Sequence, residues 1–294
     1  MKIAVQLFGH MRTFKKCYRA LQKHLLSKYD CDVFIHTWDV YNHNTKTWHT
    51  NFKNVNKKVD QNKIMKIYGI GPEQIKIEHQ RTYSKDKFIS RGREWALQGL
   101  MSMYRSVKAG NALREKYQKK HKVKYDLVVC IRPDILLFED LNLDKYIDDK
   151  LNTDGKNVYF TGHSVDRDMY GMNYFETVDL LFFGKPDAMT KFCSDLKPTA
   201  QNGDVIDYFP DGFLIDNIVR AGLNPVFVGS YQYGKMFKIK RYPQIKLNRS
   251  NIFTLHIRKH GFYLHLLRVL PPIVKFNTNL FGWFDLVVSV GKYD

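Results

Sequence analysis

The sequence contains few cysteines and no long apolar run. Its four cysteines, Cys17, Cys31, Cys130 and Cys193, stand far apart and form no CxxC pair. This spacing argues against a zinc ribbon and a disulfide scaffold and favours a reducing compartment. No stretch approaches the ~20 apolar residues that span a bilayer, and the first apolar segment is too short for the core of a signal peptide. These absences predict a cytoplasmic protein.

Several nucleotide-binding and hydrolase signatures are also absent. The chain has no GxGxxG, no GxxxxGK[ST], no HExxH and no GxSxG. The dehydrogenase, P-loop ATPase, zincin and α/β-hydrolase classes therefore lose their sequence support. His256 and His260 have the i, i+4 spacing of a metal face, but the zincin glutamate is missing between them. We expect no metal site there.

Acidic residues are scarce except in the middle of the chain. The net charge is +18, yet residues 126–230 carry 18 acidic and 9 basic side chains, whereas residues 231–294 carry 11 basic and 2 acidic ones. An acidic block between basic flanks suits an enzyme that holds a metal ion centrally and an anionic ligand or membrane at its flanks. A solvated, lysine-rich surface is the alternative. A nucleic-acid binder would more often be basic along a whole face, and no RRM, KH or helix-turn-helix signature appears.

The hydrophobic pattern predicts an α/β fold. A strand at 2–8, an amphipathic helix at 13–28 and a strand at 32–38 form a βαβ unit, which implies a parallel sheet. Residues 41–66 have no clean period and are predicted to be a loop. The remaining predicted strands cover 75–78, 126–132, 157–161, 179–184 and 225–228, and the remaining helices cover 93–120, 186–196 and 210–221.

Two domains are expected. Residues 1–230 would form the sheet domain, and residues 231–294 a basic, aromatic appendage with a helix near 254–270. Lying on an anionic membrane would suit a basic amphipathic helix of this kind, and packing on the sheet domain as ordinary core is the alternative.

The strongest chemical motif is Arg132-Pro133-Asp134, which follows the most apolar strand of the chain. Open α/β sheets bind ligands at the carboxyl ends of their strands. A carboxylate at Asp134 suits a hard divalent cation that also binds a diphosphate, and Arg132 would contact the phosphates directly. The alternative is a structural ion pair between the two residues.

The ends of the first two strands carry further candidates. Gly9 permits close approach of a ligand to the backbone, and the helix that follows His10 and Arg12 offers amide donors to an anion. Thr37 and Trp38 end the second strand at the same edge, where Trp38 would either stack on a base or belong to the core. Two downstream carboxylates are further candidates. Asp179 opens a strand and Asp211 opens a helix, where an acid is also favoured by the helix dipole.

Four blocks carry a resemblance to a known family. KIAVQLFGHMRTFKKCY, YDCDVFIHTW, KYDLVVCIRPDILL and VDLLFFGKPDAM occur in this order over residues 1–230. The chain resembles GT-A-type glycosyltransferases of bacterial and viral surface-polysaccharide clusters, which build capsules or lipooligosaccharides. The resemblance implies a GT-A-like, Rossmann-type, mostly parallel sheet flanked by helices. The GT-A class binds its metal and nucleotide diphosphate through a DxD, which here reads Arg132-Pro133-Asp134.

The resemblance also implies an activity. It points to transfer of a sugar from a nucleotide-diphosphate donor to a glycan or lipid-linked glycan, with Mn²⁺ or Mg²⁺ at Asp134 if Arg132 does not replace the ion. If the enzyme inverts the anomeric centre, Asp179 or Asp211 would be the catalytic base, whereas a retaining enzyme needs no base in that place. The enzyme would work in the cytoplasm or at the inner face of the membrane. A phosphosugar or nucleotidyl transferase is the alternative enzyme class, and a nucleic-acid-binding protein is the less favoured alternative.

Overall fold

The computed structural model describes the chain with several gaps. The described residues are 1–42, 57–80, 87–90, 92–147, 154–163, 177–198, 201, 203–206, 213–240, 252–259, 262–269 and 285–289. They form two compact units, the first of which ends at Lys240. The compositional boundary at residue 230 falls inside a strand of that first unit, because β11 covers Asn224–Tyr233.

The first unit is a mixed α/β fold around a nine-stranded sheet. Its strands are β1 (Lys2–Phe8), β2 (Asp30–Trp38), β3 (Ile75–Glu78), β6 (Leu127–Ile131), β7 (Ile135–Leu137), β8 (Asn157–His163), β9 (Thr177–Gly184), β11 (Asn224–Tyr233) and β12 (Phe237–Ile239). The strands pair in the order β3-β2-β1-β6-β9-β8-β11-β12-β7. Strands β3, β2, β1 and β6 are parallel, as are β8 and β11, whereas β9 runs antiparallel between β6 and β8. The predicted, largely parallel sheet is confirmed.

Helices cover both faces of this sheet. They are α1 (Phe14–Leu21, continued by a π-helical turn at Gln22–Leu26), α2 (Gln61–Tyr68), α3 (Leu97–His121), α4 (Pro186–Asp195) and α5 (Phe213–Arg220). Short 3-10 turns occupy Pro72–Gln74 and Asp144–Tyr146, and a small second sheet joins β10 (Val205–Ile206), β4 (Lys87–Ser90) and β5 (Arg93–Ala96). None of the described helices is both long and apolar enough to cross a membrane.

The alternation of side chains along β1 creates two separate cores. Ile3, Val5 and Leu7 pack with residues of α1 and α2 on one face. Ala4 and Phe8 pack with residues of α3, α4 and α5 on the other. Because a strand directs successive side chains to opposite faces, one apolar strand supports both layers.

The predicted loop at 41–66 is wrong at its carboxyl end, where α2 begins. The Asp60 side chain caps this helix by accepting a hydrogen bond from the Lys63 N–H at 3.0 Å, and Ile64 and Tyr68 bury one face. Gly69 ends it with a left-handed φ of 65°. The segment is too short and too polar for its two buried residues to produce a clear helical period.

Thr13 precedes α1, but its hydroxyl does not cap the helix. It donates instead to the Lys240 carbonyl at 2.5 Å.

The second unit corrects the predicted helix at 254–270. Strands β13 (Ile252–Lys259), β14 (Phe262–Val269) and β15 (Asp285–Ser289) form an antiparallel sheet in the order β14-β13-β15. The apolar residues Phe253, Leu255 and Ile257 alternate with polar ones, which is the period of a strand. Strands β13 and β14 pair along their whole described length, from Ile252 opposite Val269 to Lys259 opposite Phe262. The predicted amphipathic helix is therefore wrong.

Candidate functional site

Two loops meet where the strand order of the sheet reverses. Strands β2 and β3 extend from one side of β1, and β6 pairs with its other side. The carboxyl end of β1 leads into residues 9–12 and that of β6 into residues 132–134. Such a reversal opens a crevice at the carboxyl ends of parallel strands, and open α/β sheets bind their ligands there.

Asp134 is the centre of this site. Its carboxylate is fully buried and accepts two hydrogen bonds from Arg132, from Nε to Oδ1 at 3.0 Å and from Nη2 to Oδ2 at 2.9 Å. Arg12 approaches from the other loop, with Nη1 3.2 Å from Oδ2. The side chains of Arg12 and Arg132 are 14% and 17% exposed, so both are largely enclosed. Two guanidinium groups therefore share one buried carboxylate.

Asp179 belongs to the same electrostatic cluster. It lies on β9, and the carbonyl of the next residue, Leu180, accepts the Arg132 N–H at 3.1 Å. Burial and the neighbouring Arg132 lower the pKa of Arg12, and the negative charge of Asp179 partly offsets this. The structure thus brings the predicted residues Arg12, Arg132, Asp134 and Asp179 together. Asp211 lies outside the described residues.

The loop that carries Arg12 has an unusual backbone. Gly9 has a φ of 93° and Arg12 a φ of 26°, both in the left-handed region. For a residue with a side chain this conformation is uncommon and strained, and such strain clusters at functional sites. The Arg12 N–H donates to the Tyr41 carbonyl at 2.9 Å, and its Nε donates to Asn42 Oδ1 at 3.1 Å. These bonds fix the direction of the guanidinium.

The other predicted ligand-binding residues are buried. His10 is 5% exposed, with Nδ1 3.0 Å from the Val40 carbonyl and Nε2 3.0 Å from Gln80 Oε1. Thr37 and Trp38 are equally enclosed, and the Trp38 ring lies edge-on to the His36 ring. Trp38 therefore belongs to the core, which is the alternative to its predicted stacking on a base, and ligand binding by His10 and Thr37 stays a prediction. The Gly9 N–H donates to Ser106 Oγ at 2.7 Å, and the predicted close approach of a ligand to Gly9 stays a prediction.

The donor set does not fit the expected divalent cation. Both oxygens of Asp134 already accept hydrogen bonds from guanidinium groups, and two fixed positive charges would repel a metal ion. Divalent Mg²⁺ and Mn²⁺ require several oxygen ligands. In the described part of the chain, no group of three or more His, Cys, Asp or Glu side chains could hold a metal ion.

Three supporting residues were not found by sequence reasoning. Asn42, Gln80 and Ser106 contact the Gly9–Arg12 loop through the side chains described above. Each lies in a different segment, and none belongs to a catalytic motif. A polar residue in the middle of a helix, as at Ser106, was the one available signal.

The chain belongs to the family described as domain of unknown function DUF7796, whose sequence model matches residues 1–167. The matched region contains Arg12, Arg132 and Asp134 and ends before Asp179. A search of curated proteins finds no match.

Proposed function

We propose that this protein is a glycosyltransferase that binds a nucleotide-diphosphate sugar at the Arg12–Arg132–Asp134 cluster and transfers the sugar to a surface-glycan acceptor. One observation carries the proposal. Two arginines share a single buried carboxylate at the point where a parallel sheet reverses its strand order. Sites at this position commonly bind nucleotides, and guanidinium groups are suited to binding phosphate oxygens.

The chemistry of the cluster suits a diphosphate leaving group. Guanidinium groups bind phosphate oxygens through paired, charge-assisted hydrogen bonds. When the bond to the sugar breaks, negative charge grows on the diphosphate, and Arg12 and Arg132 would stabilise it from fixed positions. Asp134 holds both guanidinium groups in place. In this mechanism Asp134 orients the arginines, and the positive charge comes from the side chains themselves.

The sheet supports a GT-A-like architecture for this activity. In the series β3-β2-β1-β6-β9-β8-β11, parallel strands enclose a single antiparallel strand, β9. The four sequence blocks that resemble the family correspond to β1, β2, β6 and β9 with their adjoining loops.

Asp179 is the better candidate for the catalytic base. It is partly exposed and close enough to Arg12 to affect the pKa of that residue. If the reaction inverts the anomeric centre, a carboxylate must accept the proton of the acceptor hydroxyl. Asp179 would do so beside the guanidinium groups that bind the donor. Asp211 stays a prediction.

A donor screen tests the proposal. Purified protein is incubated with individual nucleotide-diphosphate sugars and glycan or lipid-linked glycan acceptors, and release of the free nucleoside diphosphate is measured with Mg²⁺, with Mn²⁺ and with EDTA. We expect release from one donor that persists in EDTA. Arg132→Lys should slow it on the order of 10²-fold, because lysine keeps the charge but loses the bidentate geometry. Arg19→Lys, an exposed position on α1, is the matched control and should leave the rate unchanged.

Other products would identify the alternatives. Release of a nucleoside monophosphate or of pyrophosphate would indicate a phosphosugar or nucleotidyl transferase. Salt-sensitive binding of DNA or RNA without turnover of any donor would indicate a nucleic-acid-binding protein. Equal rates for Arg132→Lys and the unmodified protein would remove Arg132 from the mechanism.

A further inference from the structure

Two buried serines of α3, one helical turn apart, contact the Gly9–Arg12 loop or its neighbour. The Gly9 N–H donates to Ser106 Oγ at 2.7 Å. Ser102 Oγ accepts a hydrogen bond from Gln80 Nε2 at 3.0 Å, and Gln80 Oε1 lies 3.0 Å from His10 Nε2. A serine within a helix often bonds back to a carbonyl of its own helix. Here the hydroxyls link α3 to the loop after β1.

The Ser106 hydroxyl lies in a closed polar pocket. It is 2.8 Å from His36 Nδ1 and 3.3 Å from the His36 carbonyl, in addition to its contact with Gly9. Both Ser106 and His36 are fully buried. No ligand can therefore reach the hydroxyl, so Ser106 cannot act as a nucleophile despite its histidine neighbour. Its effect must be exerted within the protein.

The hydrogen bond between the Gly9 N–H and Ser106 Oγ influences the position of Arg12 through the backbone of the loop. Gly9 is three residues before Arg12, and both have a left-handed φ. The far end of the loop is held by the hydrogen bond from the Arg12 N–H to the Tyr41 carbonyl. The near end is held by Ser106. Because a strained loop keeps its conformation only while its surroundings enforce it, losing one of these bonds should release the guanidinium of Arg12.

We infer that Ser106 is a positioning residue for the candidate site: its hydroxyl fixes the Gly9 turn and thereby holds Arg12 against Asp134. The role in ligand binding rests on the proposed function, whereas the effect on Arg12 itself does not. Two measurements therefore separate the two ideas.

The first measurement is ligand affinity, with inorganic pyrophosphate as the probe and calorimetry in the presence of EDTA. Ser106→Ala should raise the dissociation constant about tenfold, the size expected from one lost hydrogen bond. Val107→Ala is the matched control, because it removes buried methyl groups from the next residue of α3 without touching the loop. In an Arg12→Ala background, Ser106→Ala should have less than about a twofold further effect, because two residues that act together are not additive.

The second measurement needs no ligand. The Arg12 Nε–H, which donates to Asn42, is followed by nitrogen-15 NMR. Its exchange with water should accelerate at least about tenfold in Ser106→Ala and stay unchanged in Val107→Ala. Ser106→Cys replaces the hydroxyl by a somewhat larger thiol that hydrogen-bonds only weakly, and it gives the same comparison if the alanine variant does not fold.

The outcomes are distinct. If the unmodified protein does not bind pyrophosphate or any nucleoside diphosphate, the proposed function fails, and the exchange rate of Arg12 alone decides the role of Ser106. Unchanged exchange in both Ser106 variants would overturn the inference. Equal loss of affinity with and without Arg12 would overturn it as well.

Discussion

His36 should make the stability of this protein depend on pH between about pH 4 and pH 6.5. The ring is fully buried, with Nδ1 2.8 Å from Ser106 Oγ and Nε2 3.4 Å from Glu78 Oε2. Burial lowers the pKa of His36 to about 4, and the charge of Glu78 offsets only part of this effect. In an unfolded chain a histidine has a pKa near ~6.5.

The direction in which stability changes with pH follows from proton binding at His36. Between these two pKa values the unfolded chain binds a proton at His36 and the folded protein does not. Stability is therefore fully present above about pH 6.5 and falls as the pH drops toward 4. Each pH unit corresponds to ~1.36 kcal/mol, so the full interval is worth about 3 kcal/mol. That is a large share of the roughly 5–15 kcal/mol that stabilises a typical domain.

Urea unfolding at several pH values from 7 to 4 measures the effect. We compare the unmodified protein with His36→Asn, which removes the titrating ring and keeps a polar group beside Ser106. The difference between the two free energies of unfolding isolates His36 from all other titrating groups. It should shrink by about 3 kcal/mol from pH 6.5 to pH 4. In the folded protein, burial alone would raise the pKa of Glu78, but its bonds to Arg105 and Lys76 outweigh burial and lower that pKa to about 2, so Glu78 stays charged beside His36 across this interval. Parallel curves for the two proteins would refute the reasoning.

Three further predictions concern the site and the second unit. Asp134→Asn should lower the free energy of unfolding by about 3 kcal/mol in urea titrations, because the substitution removes the buried carboxylate that two guanidinium groups share. The control Asp187→Asn, on the exposed start of α4, should change the free energy of unfolding little. Gly9→Ala should lower the melting temperature by an amount equivalent to about 1 kcal/mol, since space is available for a Cβ but φ is 93°; an unchanged value would contradict the strain argument. Because residues 231–294 are strongly basic, the full chain should sediment with anionic vesicles but not with neutral ones, and high salt should weaken this sedimentation. Equal sedimentation with both kinds of vesicle would argue against membrane docking.

Most of the sheet could be predicted from local patterns. Strands β1, β2, β3 and β6 are short apolar runs bounded by turns, and the structure confirms all four. Elements fixed by tertiary contacts were harder to predict. Residues 93–96 belong to β5 and not to the start of α3, since Phe88 of β4 pairs with Trp95 in a small sheet. Such short strands carry too few residues to show a period.

The candidate site, like the fold, could be predicted only in part from the sequence. The pair Arg132 and Asp134 could be predicted because the residues are two apart in the loop that directly follows the most apolar strand. The sequence placed Gly9 and Arg12 at the same edge of the sheet. It could not show that Arg12 bonds to Asp134 across 122 positions, nor that Trp38 and Thr37 turn inward. Those facts depend on packing between layers.

The buried state of Asp134 explains why the site needs both arginines. A carboxylate with no exposure would lose its charge unless hydrogen-bonded cations surrounded it. Arg132 donates one hydrogen bond to each oxygen of the Asp134 carboxylate. The second guanidinium, from Arg12, adds a further charge-assisted hydrogen bond to Oδ2 from a different loop. A ligand at this site would meet guanidinium groups held in place by the fold, which is the condition for stabilising a developing anion without reorganisation.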